Sequence, residues 1–172
     1  MCGILGGVFN KNIDSYKFRE SLNILSHRGP DSEGMYRIDI DQDHSLVLGH
    51  RRLSIFDLSE NGNQPFYSQN GRYAIIYNGE IYNFLELRNI LVSKGISFKT
   101  NSDTEVLIEG WNFWGIEVLK KIKGMFSFAI FDKIEKKLFL FRDAFGIKPL
   151  YFLINDKASE FIFSSEIPPI LS

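Results

Sequence analysis

Met1-Cys2-Gly3-Ile4-Leu5-Gly6-Gly7-Val8-Phe9 opens the chain, and Cys2 is the only cysteine among 172 residues. Methionine aminopeptidases remove Met1 readily when a small residue such as cysteine follows, and this leaves Cys2 with both a thiol and a free α-amine. A free thiol has a pKa of about 8.5 and an α-amine one of about 7.7–8.0, so the neutral amine is able to accept the thiol proton. The stretch therefore predicts a nucleophile with its own base, followed by a buried strand, Gly3 to Phe9. In the alternative interpretation, Cys2 is a small apolar residue that begins a core strand.

The composition is that of one globular domain with room for a sizeable core. A formal net charge of −1 predicts no general attraction to nucleic acid or to a membrane surface. A lone cysteine forms no internal disulfide, and the sequence has no apolar run of spanning length and no signal peptide. We therefore expect a cytoplasmic protein with no nucleic-acid or membrane partner.

The apolar pattern predicts strands at both ends of the chain, with helices between them. Beyond the first strand, we expect strands at residues 35–38, 45–53, 72–77, 124–131, 138–141, 149–154 and 161–164. The acidic turn 39–43 joins the first two of these. This order favours antiparallel sheet covered by helices.

Three helices are predicted from their capping residues and apolar faces. Asp14 or Ser15 caps a helix with an apolar face of Phe18, Leu22 and Leu25. Asn83, with Glu86, caps a second helix that carries Leu85, Leu87, Ile90 and Leu91. Ser102 and Glu105 form the capping box of a third helix, through Val106, Leu107 and Trp111, and a short helical segment follows near residues 116–122.

Seven strings, in order along nearly the whole chain, carry a family resemblance. They are Met1-Cys2-Gly3-Ile4, His27-Arg28-Gly29-Pro30-Asp31, Gly49-His50-Arg51-Arg52-Leu53-Ser54-Ile55, Tyr77-Asn78-Gly79-Glu80-Ile81-Tyr82-Asn83, Ser102-Asp103-Thr104-Glu105, Gly124-Met125-Phe126, and Arg142-Asp143 through Gly146 to Pro149-Leu150-Tyr151. The ordered set resembles the glutamine amidotransferase domain of the class II, N-terminal-nucleophile type. The Arg-Gly-Pro-Asp and Arg-Leu-Ser-Ile strings favour the branch of glutamine-hydrolysing asparagine synthetases, which also includes amidotransferases that act on sugars or other acids.

The resemblance implies an α+β fold of the N-terminal-nucleophile hydrolases, with four layers (αββα) in which two antiparallel sheets lie between helices. It also implies a reaction. Cys2 attacks the side-chain amide of glutamine to give a thioester and ammonia, and water then releases glutamate. The Asn78 side chain and the Gly79 backbone N–H would form the oxyanion hole, where the glycine leaves room for substrate to approach. The alternative for Asn78-Gly79 is a type I′ hairpin turn, for which this pair is the commonest signal.

The remaining substrate contacts are assigned by the same resemblance. Arg52 would pair with the α-carboxylate of glutamine and Asp103 with its α-ammonium. The competing interpretations are a solvated strand arginine, assigned instead to Arg51, and a first-turn acid that stabilises the helix dipole. Leu53, Ser54, Ile55, Phe56 and Glu80 would complete the pocket.

Several conspicuous residues receive no substrate contact. The three histidines, His27, His44 and His50, match no usual metal-ligand spacing, so we predict no metal site and structural or surface roles. Arg28 and Asp31 are expected to brace the pocket. Arg142-Asp143 and Lys148 are expected to support the fold or the boundary with a partner domain.

Residues 1–172 are thus predicted to be one glutaminase domain, the N-terminal part of a longer synthetase. Members of the family continue into an ATP-pyrophosphatase domain with a Ser-Gly-Gly-type phosphate loop. The sequence given, which ends shortly after Pro168-Pro169, contains no such loop. We expect no cofactor here, ATP and magnesium only in the synthetase domain, and that domain in cis or as a separate subunit. A homodimer is also compatible with the resemblance. Two alternatives stay open: a catalytically silent binding or regulatory module, and the glutaminase subunit of a sugar amidotransferase.

Overall fold

The computed structural model describes residues 1–54, 60–155 and 159–172. Within these ranges the strands are β1 (Gly3–Asn10), β2 (Ser32–Asp39), β3 (His44–Arg52), β4 (Phe66–Tyr67), β5 (Tyr73–Ile81), β6 (Gly124–Asp132), β7 (Lys137–Arg142), β8 (Tyr151–Asn155) and β9 (Glu160–Ser164). The helices are α1 (Ser15–Asn23), α2 (Phe84–Ser93), α3 (Asp103–Trp114) and α4 (Pro168–Leu171). None of these helices is long and apolar enough to span a membrane.

The strands form two antiparallel sheets. One has the order β2-β3-β1-β9-β8 and the other the order β4-β5-β6-β7. β1 lies in the middle of the first sheet and pairs with β3 from Gly3 opposite Arg51 to Asn10 opposite His44. Because β1 is paired on both sides, the residue that precedes it, Cys2, is held at one end of a central strand.

Three apolar clusters show how the layers stack. Leu5 and Val47 pack with Phe18 and Leu22, so α1 covers the outer face of the first sheet. A second cluster fills the space between the sheets, and a third lies between the second sheet and the helices α2 and α3. The predicted αββα arrangement, with two antiparallel sheets between helical layers, is confirmed.

Two of the three capping predictions hold at least in part. Asp14 caps α1, and its Oδ1 accepts a 2.8 Å hydrogen bond from the Tyr16 N–H. Ser102 caps α3 by accepting from the Glu105 N–H, but the Glu105 carboxylate does not complete the box. That carboxylate instead accepts from the N–H groups of Lys99 and Thr100, because these uncovered donors lie within its reach.

The predicted cap of α2 is wrong. The Asn83 side chain makes no capping bond. It donates to the Lys121 carbonyl and accepts from the Lys123 N–H, so it fastens the connection that leads into β6. The helix itself forms as predicted, and of the four apolar residues named for it Leu87 and Leu91 are buried, whereas Leu85 and Ile90 are exposed.

The prediction of a strand that ends at Tyr77 is wrong as well. β5 continues through Asn78 and Gly79 to Ile81, and it pairs with β6 throughout. Asn78-Gly79 is therefore not a hairpin turn. At the other end of the chain, Pro168 begins the short helix α4, where a proline is tolerated because the first helical N–H groups need no intrahelical acceptor.

Candidate active site

Cys2 is anchored by its main chain and its thiol. Arg28 Nε donates a 2.9 Å hydrogen bond to the Cys2 carbonyl, and Arg28 Nη1 lies 2.8 Å from Glu166 Oε1. Cys2 Sγ lies 3.4 Å from the Leu53 nitrogen and 3.7 Å from the Leu53 oxygen. Arg28 thus braces the start of β1, as predicted, and the thiol lies against the end of β3.

The Cys2 thiol is not activated by its surroundings alone. Burial raises its pKa, and the Leu53 hydrogen bond, the N-terminal ammonium and the nearby Arg52 together lower it by less. The thiol is therefore protonated at neutral pH and needs a base before it attacks. None of the three histidines lines the cavity with Cys2. His50 is fully buried and donates to the Tyr77 carbonyl over 3.1 Å, and burial lowers its pKa to about 3.

One edge of β5 is open beside Cys2. β4 covers this edge only opposite Ala74 and Ile75. Further along β5, side chains instead of a strand accept hydrogen bonds from its N–H groups. The Tyr77 N–H donates to Gln64 Oε1 (2.6 Å), and the Ile81 N–H donates to Asp103 Oδ2 (3.0 Å). Because alternate residues of a strand point their N–H groups to the same edge, the Gly79 N–H faces this edge too.

Asn78 brings a second donor to the same place. It is 1% exposed, and its Nδ2 is buried with no hydrogen-bond partner among the described residues. Asn78 and Gly79 both line a cavity that also contains Cys2. The sheet gives a further reason for glycine at position 79: a Cβ there would lie 2.4 Å from the Met125 oxygen of β6, so it would collide with the neighbouring strand.

Arg52 supplies a positive charge to the wall of the cavity. Only 8% of it is exposed, and its Nη1 donates to Asn63 Oδ1 over 2.9 Å. Gly62 lies directly against the guanidinium, because a Cβ at this position would be 2.4 Å from Arg52 Nη2. Arg51 points away and binds Glu33 and the Gly29 carbonyl. Arg52 thus lines the cavity and Arg51 does not, but the prediction of a solvated Arg51 is wrong, because only 12% of its side chain is exposed.

Asp103 supplies a negative charge from the first turn of α3. It is 8% exposed, and its Oδ2 accepts from the Tyr77 hydroxyl (2.8 Å) and from the Ile81 N–H. Burial raises the pKa of Asp103, and these hydrogen bonds oppose the rise. Burial also raises the pKa of Tyr77 well above its usual value, so the phenol remains a neutral donor.

The cavity that these residues enclose has a volume of about 190 Å³. Sites for drug-sized ligands usually have about 300–1,000 Å³, so this one suits a ligand of amino-acid size. Of the predicted residues, Cys2, Arg52, Leu53, Asn78, Gly79, Glu80 and Asp103 line it. Ser54 lies beside it and donates its N–H to Asp31 Oδ2 over 2.7 Å, while Ile55 and Phe56 are outside the described residues.

Sequence reasoning missed several residues that line or shape the cavity. Gln64 accepts from the Tyr77 N–H at the open edge of β5, Gly62 packs on Arg52, and Met125 and Lys148 are among the further lining residues. No local pattern signals Gln64 or Gly62, because both act through residues distant in sequence. In the part of the chain that the structure describes, no group of three or more His, Cys, Asp or Glu side chains is placed to hold a metal ion.

Comparisons with known proteins match this arrangement over the whole chain. A family model described as a glutamine amidotransferase domain matches residues 1–172. "Asparagine synthetase [glutamine-hydrolyzing] 1" of Bacillus subtilis is 44% identical over 173 residues, which cover 96% of this chain and 26% of that protein. "Putative asparagine synthetase [glutamine-hydrolyzing] 2" of Methanocaldococcus jannaschii is 38% identical over 187 residues, and the alignment covers 100% of this chain and 35% of that protein.

A solved structure has the same fold. The glutamine phosphoribosylpyrophosphate amidotransferase of Bacillus subtilis, complexed with ADP and GMP, superimposes with a TM-score of 0.78 at 21% identity. The match covers 98% of this chain and 43% of that one. The chain therefore spans between about a quarter and two-fifths of the length of these similar proteins.

Proposed function

This chain belongs to the glutamine amidotransferase domain family, and we propose that its Cys2 hydrolyses glutamine once Met1 has been removed. Asn78 and Gly79 form the oxyanion hole in this proposal. Arg52 binds the α-carboxylate of glutamine and Asp103 binds its α-ammonium, with Leu53 and Glu80 beside the substrate. For Ser54, Ile55 and Phe56 the proposal is backbone contact from the segment that follows β3.

The reaction runs in two halves. The neutral α-amine of Cys2 takes the thiol proton, and Sγ forms a bond to the δ-carbon of glutamine, whose carbonyl becomes an oxyanion. The Asn78 Nδ2–H and the Gly79 N–H donate to this oxyanion. The protonated amine then delivers its proton to the departing nitrogen, so ammonia leaves and a thioester remains. Water, activated by the same amine, cleaves the thioester to glutamate and restores the thiol.

One observation carries the proposal: Asn78, whose Nδ2 is buried without a partner among the described residues, lines the same cavity as Cys2. A buried amide donor without a partner is unfavourable unless something else accepts from it. An oxygen that becomes negative during the reaction is such an acceptor. The raised pKa of Cys2 adds to this, because it calls for a base that the α-amine supplies.

The ammonia acceptor belongs to the longer protein. The two curated relatives described above are named as asparagine synthetases, one of them as a putative one, and this chain spans about a quarter to a third of their length. We infer that residues 1–172 are the glutaminase part of an asparagine synthetase-like enzyme, in which a further region uses ATP and magnesium to activate aspartate or another acid. Ammonia passes from Cys2 to that region.

A glutamine hydrolysis assay tests the proposal. The preparation must begin at Cys2, as checked by mass spectrometry, and glutamate and ammonia are measured together. We expect turnover by the native sequence and none by Cys2→Ala with an unchanged circular dichroism spectrum. A catalytically silent module would give no turnover with either protein.

A further inference from the structure

Lys148 is a buried cation for which the proposed reaction has no role. Only 5% of the residue is exposed, and it lines the cavity together with Cys2. Its Nζ lies 3.1 Å from Met1 Sδ, and no described carboxylate lies within ion-pair distance of it. A thioether is only a weak hydrogen-bond acceptor. The ammonium is therefore held against the N-terminus without a partner of opposite charge among the described residues.

The loop after β7 fixes this lysine in place. Asp143 accepts from the backbone N–H groups of Phe126, Ile147 and Lys148, over 3.2, 2.9 and 3.0 Å. Arg142 Nε donates to the Lys148 carbonyl over 3.0 Å. Because both backbone groups of Lys148 are bonded, its main chain is held beside the cavity that the residue lines. The conspicuous Arg142-Asp143 pair thus supports Lys148.

Other charged groups surround the N-terminus. They are Arg28 with Glu166, Arg52 at the end of β3, Glu80 on β5 and Asp103 on α3, while the Tyr77 phenol is neutral. Glu166 neutralises Arg28. The two charged groups of glutamine face Arg52 and Asp103. Lys148 and Glu80 remain without such a partner among the described residues. They carry opposite charges, and both act electrostatically on the N-terminal nitrogen.

We propose that Lys148 favours the neutral form of the Cys2 α-amine, so that the base is free when glutamine arrives. This inference rests on the proposed function, in which that amine accepts the thiol proton. Lys148 acts through the amine and is therefore a positioning residue rather than a catalytic one.

The physical reason is the repulsion between like charges. An ordinary α-amine has a pKa of about 7.7–8.0, so most copies carry a proton at pH 7 and are useless as a base. Met1 is bonded to Cys2, so a cation that touches the Met1 sulfur is separated from the Cys2 nitrogen by no more than the Met1 side chain and the 3.1 Å contact. At that separation in a partly buried site, a unit charge shifts an amine pKa by about one unit.

A nuclear magnetic resonance titration tests this directly. Cys2 is the only cysteine, so carbon-13-labelled cysteine gives a single α-carbon signal. With the thiol alkylated, the midpoint of that signal reports the amine alone. We expect the midpoint to rise by about one pH unit in Lys148→Met and in Lys148→Gln, and to stay in place in Lys148→Arg. Lys120→Met is the matched control, because its side chain is 76% exposed and pairs with Glu117.

Kinetics give a second readout. In the two neutral variants, the acid limb of the pH profile of kcat/KM for glutamine hydrolysis should move to higher pH, by the same amount as the amine midpoint. An unmoved midpoint in both neutral variants, or an equal shift in Lys148→Arg, would overturn the role of Lys148. Absence of glutamine hydrolysis by the native sequence would instead contradict the proposed function, and the titration distinguishes the two failures because it needs no turnover.

Discussion

Asn78 lies directly opposite Ser127 in an unbroken antiparallel ladder between β5 and β6. Asn-Gly dipeptides usually make hairpin turns, yet here the pair continues a strand along the cavity that holds Cys2. The choice of an asparagine and a glycine at this place therefore needs an explanation other than turn formation. The proposed oxyanion hole supplies one.

Asn78→Ala should lower kcat for glutamine hydrolysis by roughly 10²–10³, about 3–4 kcal/mol, because one donor to the oxyanion is lost. KM should change little, and so should the melting temperature. Ser127→Ala is the matched control, since it removes another buried group without a partner from the facing strand. A near-normal kcat with a clearly lower melting temperature would assign Asn78 a purely structural role.

Arg52→Ala should chiefly raise KM for glutamine, by roughly 10- to 100-fold, because a charge-assisted hydrogen bond to the α-carboxylate is lost in ground and transition states alike. Arg51→Ala should raise KM by much less, since Arg51 binds Glu33 outside the cavity. Steady-state kinetics of the two variants decide the matter. A larger loss with Arg51→Ala would show that the wrong arginine has been assigned.

Asp103→Asn should also raise KM more than it lowers kcat, because the substrate ammonium loses its counter-charge. The fold should tolerate the change, since the new amide oxygen is still able to accept from the Tyr77 hydroxyl and the Ile81 N–H. Glutamine analogues without the α-amino group separate the possibilities. If Asp103→Asn discriminates against them as strongly as the native sequence does, Asp103 does not bind that group.

His50 should make the fold sensitive to acid. Its folded pKa is about 3, against about 6.5 for an exposed histidine, so only the unfolded chain takes up this proton between those values. The unfolded state then binds more protons, and the free energy of unfolding falls as the pH falls, by about 1.4 kcal/mol per unit between about pH 6 and about 4. His50→Gln should flatten this slope in denaturant titrations. Parallel curves for the two proteins would refute the assignment.

Short-range signals predicted antiparallel sheet covered by helices, and the family resemblance supplied the four-layer arrangement. Asp14 and Ser102 are capping residues whose partners lie two and three residues away, and the apolar residues of β1 form a run that needs no distant information. Asn83 failed for the opposite reason. Its side chain bonds to Lys121 and Lys123, nearly forty residues later in the chain, and no local pattern contains those contacts.

The candidate site divides in the same way. A family resemblance identified Cys2, Arg52, Asn78 and Asp103, because motif order carries that information. It did not identify Gln64 or Gly62, which act only through the Tyr77 N–H and the Arg52 guanidinium. The further reason for Gly79 also depended on the structure, since the close approach of β6 is a long-range fact.

The central claim is that the α-amine of Cys2 is the base of the reaction, and retention of Met1 tests it most directly. With Met1 in place, the Cys2 nitrogen is an amide and accepts no proton at neutral pH, and the extra residue crowds the cavity that it lines. Glutaminase activity should be compared between protein shown by mass spectrometry to keep Met1 and the same protein cleaved to begin at Cys2. We predict that the first is folded and almost inactive and that cleavage switches activity on. Full activity with Met1 still attached would contradict the account.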